Sequence, residues 1–162
     1  MYRVAVITIS DKAARGERED TGGQTVRELV EEQGWEVRVA RIVSDDLDTI
    51  AETLSAVTSA GIDLVITTGG TGLGPRDNTP EATLSVIERE VPGIAEAMRF
   101  ETFRVSPRAI LSRGVAGIRG KTLIINLPGS PKAVRECLTV VLPVVGHGLA
   151  VLTGRERECA GG

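Results

Sequence analysis

Residues 62–83 read IDLVITT, then Gly69-Gly70-Thr71-Gly72-Leu73-Gly74, then Pro75-Arg76-Asp77-Asn78-Thr79-Pro80-Glu81-Ala82-Thr83. The first seven are mostly aliphatic and β-branched, as in a strand covered on both faces. The next six are glycine-rich. Thr79 then suits a helix N-cap, Pro80 the first helical position, and Glu81 the positive end of the helix dipole. A glycine turn between a strand and a helix lets backbone N–H groups approach an anion without interference from side chains. It is not a P-loop, since no Gly-Lys-Ser/Thr follows, and it is not G-x-G-x-x-G. The alternative is a flexible connector built on turn glycines.

The same strand-then-helix unit recurs on either side. Residues 3–10 (RVAVITIS) form a continuous apolar run, followed by a polar loop over 11–23 and a helix over 25–33 that Gly34 closes. Residues 35–43 alternate, which predicts a strand near an edge. Residues 46–60 place Leu47, Ile50, Leu54 and Val57 on one helical face, and Gly61 ends that helix. After Glu81 the helix continues its apolar face through Leu84, Ile87 and Val91. Pro92-Gly93 opens another helix to Phe103, and residues 106–112 form a short one. Residues 115–118 and 121–127 pair as a hairpin around Arg119-Gly120. Residues 128–131 are a loop and 132–141 a helix, which Pro143 separates from a last helix to about Thr153. This order predicts a three-layer α/β/α sandwich with a mostly parallel sheet. A single domain over 1–154 and a polar tail over 155–162 complete the expectation.

Composition excludes other classes. Nineteen of the 162 residues are glycine and only four are aromatic. Aliphatic content is enough for a core, and the glycines show no three-residue period. The net charge of −3 disfavours nucleic acid, as does the lack of aromatic stacking surface. The apolar stretch over 140–152 is broken by Pro143, Gly146, His147 and Gly148, and falls short of the roughly 20 residues of a membrane span. Cys137 and Cys159 are too few for a disulfide scaffold, and with no signal sequence in view a cytoplasmic location is expected.

In open parallel sheets, ligands bind beyond the C-terminal strand ends. Those ends carry Ser10-Asp11, Ser44-Asp45-Asp46, residues 69–77 and Leu127-Pro128-Gly129-Ser130-Pro131. Asp45 and Asp77 stand out as loop carboxylates near a phosphate-type turn, which suits Mg²⁺. Equally, Asp45 could cap the following helix and Asp77 could shape a turn beside Asn78. Arg76 and Lys132 are either phosphate contacts or solvated charges. Ser130 has no triad partner. His147 reads as a packed or surface helix residue and Cys137 as core. Arg99, Arg104, Arg108, Arg113 and Arg119 read either as a solvated face or as positive charge at an interface or substrate entrance.

Three blocks together resemble the MogA/MoaB-like molybdopterin-binding family. They are residues 67–83, residues 8–11 with Gly16, Asp20 and Gly22, and residues 127–133. Their order and separation fit across about residues 2–154. The resemblance implies molybdenum-cofactor biosynthesis, in which Mg²⁺-ATP adenylylates the terminal phosphate of molybdopterin. It also implies a homotrimer and hand-over to a molybdenum insertion enzyme. The family's two key aspartates fall on Asp77 and Asp45, with Asp46 adjacent to the latter. Gly69, Gly70, Thr71 and Gly72 are expected to donate to phosphate oxygens. Ser10, Asp11, Arg76, Glu81, Pro128, Gly129 and Ser130 are expected around the nucleotide and pterin. A noncatalytic pterin-binding or carrier protein is the alternative.

Overall fold

The structure is a computed structural model, and it describes residues 1–155. The tail expected over 155–162 therefore lies, Arg155 apart, outside the described residues, as does Cys159.

Among the described residues, six strands form one sheet. They are β1 (Arg3–Ile9), β2 (Glu36–Val43), β3 (Leu64–Thr68), β4 (Arg89–Glu90), β5 (Ala116–Arg119) and β6 (Thr122–Leu127), in the order β2-β1-β3-β6-β5-β4. The pairs β1·β2, β1·β3 and β3·β6 are parallel, while β5 runs antiparallel to both of its neighbours. Because β5 reverses, β6 points the same way as β1 and β3. Four C-terminal strand ends thus share one edge. β2 lies at the border with none of its residues fully buried, the edge position its alternation predicted.

The pleat sorts the core into two layers. Val4, Val6, Leu64 and Ile66 face α2 (Thr21–Glu32), α5 (Pro92–Phe103) and α6 (Pro131–Thr153). Ala5, Ile7, Ile9 and Val65 face α3 (Leu47–Ser59) and α4 (Thr79–Val86). The three-layer α/β/α sandwich is therefore present.

Four local expectations need correction. Residues 11–23 are not all loop. Asp11–Ala14 forms a short helix, α1, and α2 begins at Thr21, so Gly22 and Gly23 sit in its first turn. A Cβ on Gly22 would stand 2.7 Å from the Gly129 carbonyl oxygen, so close packing, not a turn, explains that glycine. Thr79 is not the cap of α4. Asn78 holds that position, and the Thr79 hydroxyl instead donates to the Gly69 carbonyl at 2.9 Å. The helix also stops at Val86, with Leu84 exposed, and β4 follows. Finally, α6 runs unbroken for 23 residues through Pro143. Pro143 lies on its exposed side, and the opposite stripe from Val134 to Leu149 is buried in the core. The helix is long and apolar enough to cross a membrane by length and composition, and its apolar stripe is spent on the sheet.

Candidate functional site at the C-terminal sheet edge

The glycine turn leaves β3 with two residues at positive φ, Gly69 at 99° and Gly70 at 66°. Side-chain-bearing residues are strained there, which is why glycine is required. The turn is pinned at both ends. Gly69 N–H donates to the Leu127 carbonyl at 3.0 Å, and Thr79 N–H donates to the Gly70 carbonyl at 3.1 Å. Gly74 N–H donates to Asp77 Oδ2 at 2.8 Å. Among the described residues, the N–H groups of Gly70, Thr71 and Gly72 donate to no protein acceptor. These three remain for a ligand.

Adjacent carboxylates at the end of β2 have separate tasks. Asp46 caps α3, accepting from Thr49 N–H at 2.9 Å and from the Thr49 hydroxyl at 2.8 Å. These bonds hold its carboxyl below the usual range. Asp45 instead turns inward, where Oδ2 accepts from Asp11 N–H at 2.7 Å. Burial pushes the Asp45 carboxyl up, and the negative charges of Asp11 and Asp77 add to that push. The capping role open to Asp45 in the sequence thus falls to Asp46.

Asp11 closes the same cluster. It accepts from Asp45 N–H at 3.0 Å and takes a two-point ion pair from Arg76, at 3.1 and 3.0 Å. The Arg76 guanidinium lowers the Asp11 carboxyl. Arg76, expected near phosphate, is thus engaged by Asp11 and ties the glycine loop to α1. Ser10 caps α1 through Ala13 N–H, and Ser130 caps α6 through Ala133 N–H.

Two cavities open at this edge. The polar one, about 560 Å³, is lined by Ser10, Asp45, Asp77, Gly129 and residues 69–72. The other, about 580 Å³, is chiefly apolar, with Ala95, Met98 and Cys137 in its wall and Arg99, Arg108 and Lys132 among its polar groups. Thr71, Gly72 and Ser130 line both. Pro128 belongs to the apolar cavity alone. Asp11, Arg76 and Glu81 line neither cavity, and Glu81 pairs with Arg113. His147 is exposed on α6, away from both cavities.

Asp45 and Asp77 fit a Mg²⁺ ion. Both face the polar cavity, where burial first and the negative charges of Asp11 and Asp77 second raise Asp45, and a dication would offset the carboxylate charge gathered there. Among the described residues no three His, Cys, Asp or Glu side chains converge as a metal cluster.

Sequence reasoning named Arg113 only as one of five arginines on a solvated face or at an interface or substrate entrance, and missed its place beside the glycine loop. Its guanidinium reaches Gly72, Asp77 and Glu81, across a separation of 32 to 41 residues. No local pattern signals contacts so distant in sequence.

Together the fold and edge define an α/β protein that brings a polar and a chiefly apolar cavity to one shared wall of Thr71, Gly72 and Ser130. Comparison with known proteins narrows this. Residues 5–147 match the family described as "Probable molybdopterin binding domain", and the chain belongs to that family. It is 43% identical to a molybdopterin adenylyltransferase of Helicobacter pylori over 159 residues, covering 96% of this chain and 90% of the relative. It is 50% identical to the molybdopterin biosynthesis enzyme MoaB of Thermus thermophilus, with a TM-score of 0.91 and coverage of 98% and 100%. It also superposes on the tungsten cofactor synthesizing protein MoaB of Pyrococcus furiosus, with 34% identity, a TM-score of 0.86 and coverage of 94% and 97%.

Proposed function

We propose that this protein is an enzyme of molybdenum-cofactor biosynthesis that transfers AMP from ATP to the terminal phosphate of molybdopterin. The observation that carries the reading is the pair of adjoining cavities with Thr71, Gly72 and Ser130 in their common wall. A carrier needs one ligand cavity; joining two phosphate-bearing molecules needs two that meet. The similarity to adenylyltransferases over most of the chain supports the same reading.

A phosphate oxygen of molybdopterin attacks the α-phosphorus of ATP. The new P–O bond forms as the bond to the β-phosphate oxygen breaks, and pyrophosphate leaves with that electron pair. Such a step needs alignment and charge neutralisation, with no covalent protein intermediate. The N–H groups of Gly70, Thr71 and Gly72 hold phosphate oxygens at the common wall. Asp45 and Asp77 would hold Mg²⁺, which when bound would supply positive charge against the assembled phosphates. Ser10 and Ser130, at the N-termini of α1 and α6, orient the ligands from either side. With few aromatic residues in the chain, the adenine and pterin rings lie on aliphatic side chains and peptide planes.

The reading extends to a homotrimer in the cytoplasm that passes adenylylated pterin to a molybdenum insertion enzyme. Exposed Phe100, Phe103, Val105, Ile110 and Leu111 offer an apolar subunit contact.

The test is incubation with molybdopterin and labelled ATP, with and without Mg²⁺. Pterin-dependent, Mg²⁺-dependent AMP transfer is expected, and Asp77→Ala abolishes it while the protein stays folded. Pterin binding without transfer would make the protein a carrier. Hydrolysis of ATP without pterin would make it a pyrophosphatase.

A further inference from the structure

Arg113 belongs to no motif of the sequence and lines neither cavity. Yet it holds the glycine loop at three points and α4 at a fourth. Its Nε donates to the Gly72 carbonyl at 2.8 Å and its Nη2 to the Asp77 carbonyl at 2.6 Å. Its Nη1 donates to the Glu81 carboxylate, and its backbone N–H donates to the Thr71 carbonyl at 2.8 Å.

The geometry matters because a guanidinium is a rigid plane. One side chain therefore fixes Gly72, Asp77 and Glu81 relative to each other, across the whole turn and into α4. A trans peptide sets its carbonyl and the next N–H antiparallel, so fixing the Gly72 carbonyl also fixes Leu73 N–H. Holding the Asp77 carbonyl sets the plane from which its side chain departs. The other end of that side chain is already held, by Gly74 N–H. A Cβ on Gly72 or Gly74 would stand 2.8 Å from Asp77 Oδ2, so the turn is packed onto this carboxylate.

We propose that Arg113 is a positioning residue, which clamps the 71–77 turn so that Gly72 and Asp77 face the polar cavity in the geometry AMP transfer needs. The proposal rests on the functional reading above. The role is geometric. The charge of Arg113 is spent on Glu81, whose carboxyl it lowers, and is not aimed into the cavity. Lysine keeps the charge but loses the planar fork, so it does not substitute.

The experiment compares Arg113→Lys and Arg113→Ala with the unaltered protein. Both variants lose about 10²-fold in kcat, the scale of a misplacement of about 1 Å, while KM for ATP changes less than about three-fold. Hydrogen exchange accelerates across residues 71–78 and is unchanged in β1 and β3. Guanidinium at low millimolar concentration restores Arg113→Ala, and ethylammonium does not. A kcat within three-fold of the unaltered protein, roughly one-third of its value or more, overturns the proposal. So does unchanged loop exchange, or equal rescue by both cations or by neither. Should Arg113→Ala fail to fold, a change at Glu81 decides the matter. Because glutamine would still accept from Arg113, the variant that removes this anchor alone is Glu81→Ala; it should speed exchange of residues 77–81, and unaltered exchange there overturns the clamp. If the unaltered protein transfers no AMP, the functional reading fails, and the exchange measurements still decide the clamp on their own.

Discussion

The adjacent carboxylates Asp45 and Asp46 give a sharp test, because the structure assigns them opposite tasks. Asp46→Ala removes the acceptor of two hydrogen bonds from Thr49 at the start of α3. Loss of such a cap in a domain of this size lowers Tm by about 2–4 °C. AMP transfer should stay within about three-fold, since Asp46 lines neither cavity. Asp45→Ala works the other way. It releases the Asp11 N–H, which is destabilising, but it also removes a carboxylate crowded by Asp11 and Asp77, which is stabilising. These effects oppose, so Tm should move by no more than about 2 °C. Activity should fall by at least about 10²-fold, the scale of losing one electrostatic anchor of a transition state. The sign at Asp45 can be checked by pH. Its folded carboxyl is raised, so its ionisation costs stability above that range, and Asp45→Asn should gain stability relative to the unaltered protein as pH rises past about 4. Thermal melts and the labelled-ATP assay on the two single variants suffice. A severe activity loss in Asp46→Ala with normal activity in Asp45→Ala would refute the assignment outright.

Two further outcomes follow. Arg3 donates to buried Asp63 from Nε at 3.2 Å and from Nη2 at 3.3 Å. Burial pushes the Asp63 carboxyl up, but the Arg3 bonds and charge outweigh it and the net shift is downward. Asp63 therefore stabilises above the unfolded carboxylate range, and that contribution is lost as pH falls below about 4. Arg3→Ala should lower Tm by about 4–8 °C at pH 7 and by less below pH 4; a pH-independent deficit would contradict this. Burial raises the Cys137 thiol to about 11, so in a Cys159→Ser background the folded protein should resist thiol reagents at pH 8 and react fully in denaturant. Labelling of the folded protein at a free-thiol rate would show the site to be open.

The layers and the site edge were legible because they rest on short-range pattern. Continuous aliphatic runs marked β1, β3 and β6, and the glycine turn marked the ligand edge. What escaped was set by tertiary contact. Gly22 and Gly23 look like loop residues, but in α2 Gly22 passes close to Gly129 and Gly23 packs on Thr8 and Asp20. Thr79 looks like a cap, but its hydroxyl is drawn to the Gly69 carbonyl. Pro143 looks like a break, but it falls where α6 faces solvent, and the buried stripe holds the helix together on either side. Asp45 and Asp46 were inseparable by spacing, and only the direction of each side chain divides their work. Arg113 looked like one of several surface arginines, because its partners lie more than 30 residues earlier in the chain.

The sheet order has a consequence for how the protein comes into being. β3 pairs with β6, residue Leu64 beside Leu123, so the centre of the sheet waits for a strand made about 60 residues later. Until β6 arrives, β3 presents an open edge to other chains. The Leu127 carbonyl that receives Gly69 N–H comes with that same strand, as do residues 128–131 and the N-terminus of α6. Non-local pairing of this kind forms late and slowly. No partly folded or truncated chain lacking β6 can therefore hold the ligand edge, and the first trace of ligand affinity in a refolding experiment marks the closing of the sheet.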